Sequence, residues 1–141
     1  MRAPVLCDLD GVIWLGDEPI PGSAGAVARL RAAGHRVVFV TNFSFSPVEE
    51  MEAKLAHHGI PAAGDVITSA QAAAHVVQPG ERVMVCGGPG IRQAVERRGG
   101  VIVAEGAVDA VIVGFHRSFD FEVMTRAATA VQRGARLIGT N

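Results

Sequence analysis

The chain has 141 residues, of which 49% are apolar and 19% charged, with a formal net charge of −1. That is enough apolar material for a packed core and one ordinary domain, and short for two. The near-neutral balance gives no electrostatic reason to expect nucleic acid or an anionic membrane as a partner, and no apolar run reaches the ~18 residues that a membrane span needs. Cys7 and Cys86 lie far apart and show neither metal spacing nor a disulfide framework. Asp8 follows the first residues almost at once, with no long apolar segment ahead of it, so no signal peptide is expected and the cytoplasm is the expected compartment.

Short β-branched runs alternate with helical patterns, which predicts α/β layering around a parallel sheet. Residues 4–7 form a strand ending at Asp8, followed by a Gly- and Pro-containing segment from Gly11 to Gly22. Ser23 is placed to cap a helix with Ala24, Val27, Ala28 and Leu30 as its apolar positions, ended by Gly34. Residues 37–40 are four apolar residues without alternation, as expected of a strand buried on both faces. Ser46-Pro47-Val48-Glu49 reads as a capping box with proline at the first helical position, and Val48, Met51 and Leu55 form that helix's inward stripe up to Gly59. Val66-Ile67 is a brief strand, and Thr68 or Ser69 starts an alanine-rich helix running to about Val77. Gln78-Pro79-Gly80 is a candidate domain boundary. Beyond it come strands at 82–86, 101–103, 110–113 and 136–139. A helix is marked there by Ile91, Ala94 and Val95, and another over 121–133 carries Met124, Ala127, Ala128 and Val131 inward.

Asp8-Leu9-Asp10-Gly11-Val12 sits at the C-terminal end of the first strand, the end beyond which open parallel sheets bind ligands. Two carboxylates two residues apart can converge on one small site, one binding Mg²⁺ and attacking phosphorus while the other handles the proton. Gly11 lets the backbone turn and present amides to a phosphate. The four residues from Asp8 to Gly11 also suit an ordinary turn. Thr41-Asn42 ends the second strand on the same edge if a right-handed crossover joins the two. Thr41 can then donate to a phosphoryl oxygen and Asn42 can orient it, although a Thr-Asn pair also serves as a plain cap or turn. Leu9, Gly11, Thr41, Asn42 and Phe43 make up the expected phosphate- and substrate-binding set.

Residues 8–14, Asp-Leu-Asp-Gly-Val-Ile-Trp, resemble motif I of the haloacid dehalogenase superfamily, and Val40-Thr41-Asn42 resembles its motif II. The segment from Pro19 to Asn42, the Thr68-Ser69-Ala70 step, Val85-Cys86-Gly87, residues 111–115 and residues 134–141 resemble its NagD-like subfamily, class IIA. The resemblance implies a Rossmann-like parallel core, with residues 1–78 its N-terminal part and residues 79–141 the first part of an inserted α/β cap. It also implies a Mg²⁺-dependent phosphatase acting on a small phosphorylated metabolite through an aspartyl-phosphate, with Asp8 as nucleophile and metal ligand. Asp10 would be the general acid/base, its backbone carbonyl also on the metal. Cap-mediated dimers occur in the subfamily, so a homo-oligomer is compatible with it.

The sequence departs from the subfamily at Phe43, where a second asparagine is usual, and at His116, where an aspartate is common. Family members are about twice as long and place a motif III lysine and motif IV acidic residues after the cap. Lys54, the only lysine, reads as a solvated helix charge. The chain is therefore expected to be an N-terminal portion of such an enzyme. These 141 residues alone should hydrolyse phosphate esters very slowly or not at all, and uncovered sheet edges should leave them marginally stable. The rival readings are a non-catalytic Mg²⁺- and phosphate-binding fragment or pseudoenzyme, a phosphotransferase of the same superfamily, and a dehalogenase, against which Asp10 argues. Gly87-Gly88-Pro89-Gly90 fails the dinucleotide spacing and reads as a turn. His57-His58 read as a helix C-terminus, and His35 and His75 as surface residues.

Overall fold

A computed structural model describes residues 2–141. Its contacts form two compact units, one holding the residues up to Thr41 together with Val48–Ile67, the other Asn42–Pro47 together with Thr68–Asn141. The architecture is α/β, as the alternating pattern predicts.

The first unit contains β1 (Val5–Asp8), a hairpin of β2 (Trp14–Leu15) and β3 (Glu18–Pro19), α1 (Ser23–Ala32), β4 (Val37–Thr41), α2 (Val48–His57) and β5 (Val66–Thr68), whose last residue opens the second unit. The sheet order is β1-β4-β5. β1 and β4 run parallel, with Val5 opposite Val37 and Asp8 opposite Val40. Leu9, Ile13, Trp14 and Phe39 pack with Val27 of α1 and with Val48 and Leu55 of α2. Each large side chain so buried contributes about 1.5–3 kcal/mol. Val37, Val38 and Phe39 are buried, as expected of a strand covered on both faces, whereas β1 alternates and leaves Leu6 68% exposed.

Two local details differ from expectation. Gly22, at φ 87°, is the N-cap of α1 without a side-chain cap, and Ser23 is the first helical residue, its hydroxyl donating to the Ile13 carbonyl at 3.3 Å. The β2–β3 hairpin turns on Gly16-Asp17, a two-residue loop with Gly16 at φ 62°.

In the second unit Thr68 caps α3 (Ser69–Ala74) through a reciprocal box with Gln71. β6 (Arg82–Cys86), α4 (Pro89–Arg97), β7 (Val101–Ile102), β8 (Ala110–Val113), α5 (Phe121–Gln132) and β9 (Arg136–Gly139) follow. All four strands are parallel in the order β7-β6-β8-β9. Alternate residues serve opposite faces: Val83, Val85 and Ile112 pack on α3 and α4, while Met84, Cys86 and Val111 pack on α5. Because Ala70, Ala73 and Ala74 of α3 pack with Ile91, Ala94 and Val95 of α4, the Gln78–Gly80 break lies inside this unit, and the compact units part at Thr68. On α5 the inward residues are Ala127 and Ala130, with Val123 and Val131 at their margin; Met124 is 44% exposed and Ala128 is exposed, a rotation from the expected face.

Candidate active site

β1 delivers Asp8 at its C-terminal end, and the chain then folds back on itself. The Leu9 carbonyl accepts the amides of Val12, Ile13 and Trp14 at 3.2, 2.9 and 3.3 Å, and the Gly11 amide donates to the Trp14 carbonyl at 2.7 Å. Gly11 stands at φ 80°, where a side chain would be strained. The loop sinks Leu9, Ile13 and Trp14 into the core and leaves Asp8 and Asp10 exposed. Both carboxylates are held: Asp8 Oδ1 accepts the Leu9 amide at 2.8 Å, and Asp10 Oδ1 accepts the Trp14 indole N–H at 2.9 Å. The amides of Leu9, Gly11 and Val12 are thus engaged within the loop. Leu9 offers only main-chain atoms, its side chain being fully buried.

Thr41 lies one residue beyond Val40, the partner of Asp8, so the parallel register brings Asp8 and Thr41 to the same end of adjacent strands. Thr41 is 6% exposed. Asn42 and Phe43 fall in the second unit. There the Asn42 carbonyl accepts the Ser69 hydroxyl at 2.7 Å, and the Phe43 ring lies 6.3 Å from Phe45 and 6.1 Å from Phe115. The structure therefore gathers Asp8, Leu9, Asp10, Gly11 and Thr41 within one unit and places Asn42 and Phe43 in the other.

Cys7 directly precedes the first of the two carboxylates. Burial, and secondarily the Asp8 charge, pushes its thiol up and keeps it protonated near neutrality. Among the described residues no three His, Cys, Asp or Glu side chains gather around a common metal position. The His57 and His58 rings stand 5.4 Å apart, and His58 lies 5.9 Å from Trp14.

Two residues near the carboxylates escape sequence reasoning. Trp14 is 2% exposed, and its indole N–H donates to Asp10 Oδ1. Lys54 is not a solvated charge: its ammonium donates to the Gly16 carbonyl at 2.7 Å, pairs with Asp17 at 3.1 Å and stands 4.5 Å from the Trp14 ring centroid. The signal for this arrangement was Gly16-Asp17, a loop type that favours two-residue hairpins.

In the second unit, Gly87-Gly88-Pro89-Gly90 opens α4, and its glycines allow close packing. A Cβ on Gly88 would meet the Phe45 ring and carbonyl, and one on Gly90 would meet the Ser46 carbonyl. The Gly90 amide also donates to the Phe45 carbonyl at 2.7 Å.

Comparison with known proteins gives this arrangement a lineage. The acid sugar phosphatase of Staphylococcus saprophyticus is 36% identical over 140 residues, covering 96% of this chain and 54% of that protein. The 5'-nucleotidase YutF of Bacillus subtilis is 37% identical over the same shares. The chain thus spans about half the length of the curated relatives it matches. Among solved structures, the glycerol phosphate phosphatase Rv1692 of Mycobacterium tuberculosis in complex with magnesium superposes with a TM-score of 0.88 at 31% identity, covering 99% of this chain and 43% of that one. Residues 5–100, which include the two carboxylates, the strand end at Thr41 and the start of the second unit, match the family model for haloacid dehalogenase-like hydrolases, and the chain belongs to that family.

Proposed function

We propose that the protein is a Mg²⁺-dependent phosphatase that cleaves a small phosphomonoester, such as a sugar, nucleotide, glycol or cofactor phosphate, through an aspartyl-phosphate on Asp8. The observation that carries this reading is the β1–β4 register, which sets an exposed carboxylate and a threonine at the ends of adjacent parallel strands. The phosphatase names of the relatives and the magnesium in the Rv1692 complex support it.

The donor set fits the metal. Mg²⁺ takes hard oxygen ligands and is commonly held by one or two carboxylates, with water and substrate phosphate completing the shell. At the end of β1 the exposed Asp8 would offer a carboxylate oxygen and Asp10 its main-chain carbonyl, which leaves the Asp10 carboxyl to carry a proton. When bound, the ion supplies charge neutralisation between the carboxylate and the phosphoryl group.

A carboxylate oxygen of Asp8 attacks phosphorus as the bond to the leaving oxygen breaks. The electron pair stays on that oxygen, and Asp10 supplies its proton. The Asp10 carboxylate then takes a proton from the water that attacks the aspartyl-phosphate, releasing phosphate and regenerating Asp8. Thr41 and Asn42 bind the transferring group, and Phe43 lies beside them in sequence. Residues 1–78 then form the N-terminal part of the core and residues 79–141 the first part of a cap, with α3 packed on the cap side.

The test is nitrophenol release from an aryl phosphate with and without Mg²⁺, using these 141 residues and the full-length polypeptide. Turnover by the full-length protein that requires Mg²⁺ and is lost in Asp8→Asn supports the reading. Turnover that survives Asp8→Asn contradicts it. The 141 residues alone are expected to show little or no turnover.

A further inference from the structure

We infer that Trp14 and Lys54 are positioning residues for Asp10, fixing the carboxylate that delivers the proton to the leaving oxygen. The inference rests on the reading of Asp10 as general acid and goes beyond it by naming what aims that acid. Asp10 sits on an exposed loop, where an aspartate would otherwise sample several rotamers. The Trp14 indole N–H takes Oδ1 at 2.9 Å and leaves Oδ2 for proton transfer. The indole makes a firm anchor because its ring is 2% exposed and packed in the core with Leu9, Ile13 and Leu55.

Lys54 covers the face of the same ring. Its ammonium stands 4.5 Å from the ring centroid, and its bonds to Gly16 and Asp17 tie it to the hairpin that carries Trp14. A cation over the ring face draws electron density from the indole and strengthens its N–H as a donor to the carboxylate. The sole lysine of the chain, on α2, is thereby coupled through one ring to the acid at the end of β1.

A proton donor matters most when the leaving oxygen is a poor leaving group, and kcat/KM reports the step in which that oxygen departs. The experiment uses the full-length polypeptide with Trp14→Phe, Lys54→Met and Lys54→Arg, assayed on an alkyl phosphate and on 4-nitrophenyl phosphate. Trp14→Phe should lower kcat/KM about 10-fold on the alkyl ester and less than about twofold on the nitrophenyl ester, part of the roughly 10²–10⁴-fold that a positioned acid supplies. Lys54→Met should show the same pattern at about threefold, and Lys54→Arg, which keeps a cation able to stack on the ring, should restore most of it. The indole N–H resonance that disappears in Trp14→Phe should move in Asp10→Asn and in Lys54→Met.

If the buried ring cannot be replaced without unfolding, the substitutions at the partly exposed Lys54 still decide. Equal losses on both esters, no loss on either, or an indole resonance indifferent to both Asp10 and Lys54 would overturn the inference. Asp8→Asn and Asp10→Asn separate this failure from that of the broader reading. If Asp8→Asn abolishes turnover and Asp10→Asn is selective for the alkyl ester while the Trp14 and Lys54 variants are not, only the positioning role fails. If Asp8→Asn turns over normally, the phosphatase mechanism itself fails.

Discussion

A single methyl group added at Gly90 sets helix propensity against packing. Within a helix, glycine-to-alanine substitution ordinarily stabilises by about 1 kcal/mol. At Gly90, near the start of α4, the new carbon would overlap the Ser46 carbonyl oxygen, approach its carbonyl carbon to 2.7 Å and lie 2.8 Å from the Ser44 carbonyl oxygen. Comfortable carbon contacts begin at about 3.5 Å, and these neighbours are backbone atoms that cannot rotate away. Overpacking of this kind costs about 1–3 kcal/mol and outweighs the propensity gain, so Gly90→Ala should destabilise. Gly25 in α1 is the control: a methyl there meets only the tip of Arg29 at 3.5 Å, so Gly25→Ala should stabilise by about 0.5–1 kcal/mol. Urea unfolding midpoints of the two variants should move in opposite directions. The Gly90 change should also disturb residues 42–47, since the Phe45 carbonyl is bonded to the Gly90 amide. A Gly90→Ala midpoint at or above the parent's would refute the packing argument.

Leu55, fully buried in the core that supports the Asp8 loop, should cost about 2–5 kcal/mol as Leu55→Ala, read from the same unfolding curves. Burial raises the Cys86 thiol above its ordinary value, with Arg126 and Arg92 partly opposing. Stability from this residue is therefore fully present below the unfolded thiol pKa of about 8.5 and is lost as pH rises through the folded value. Cys86→Ala should flatten that alkaline decline in unfolding midpoints, and an unchanged slope would refute the assignment. The Arg136–Glu81 pair, at 2.6 Å but with the arginine side chain 46% exposed, should be worth less than about 1 kcal/mol in a double-mutant cycle and should weaken with added salt.

The parts of the fold that could be read directly were those whose pattern is local. β1, β4, β6 and β8 are unbroken apolar or β-branched runs, and α2 and α4 carry one apolar stripe each. The β2–β3 hairpin escaped because two-residue strands have no periodicity to detect. The face of α5 was misjudged because its alanine-rich sequence offers two apolar stripes, and contact with Met84, Cys86 and Val111 selects the one through Ala127 and Ala130. The placement of α3 with the later strands depends on contacts with α4, which no local signal at Gln78–Gly80 could reveal. The ends of β1 and β4, which carry Asp8 and Thr41, were legible because an apolar run that stops at a polar residue marks a strand end. The role of Lys54 was not, since Asp17 lies 37 residues away and the ring it covers belongs to another element.

The central claim is that Asp8 itself receives the phosphoryl group. Rapid acid quenching of the full-length protein during turnover of a phosphomonoester, followed by peptide mass spectrometry, tests it directly. One phosphoryl group is expected on the peptide containing Asp8, dependent on Mg²⁺ and absent in Asp8→Asn. A phosphoryl group trapped on any other residue, or turnover that continues undiminished in Asp8→Asn, would contradict the account.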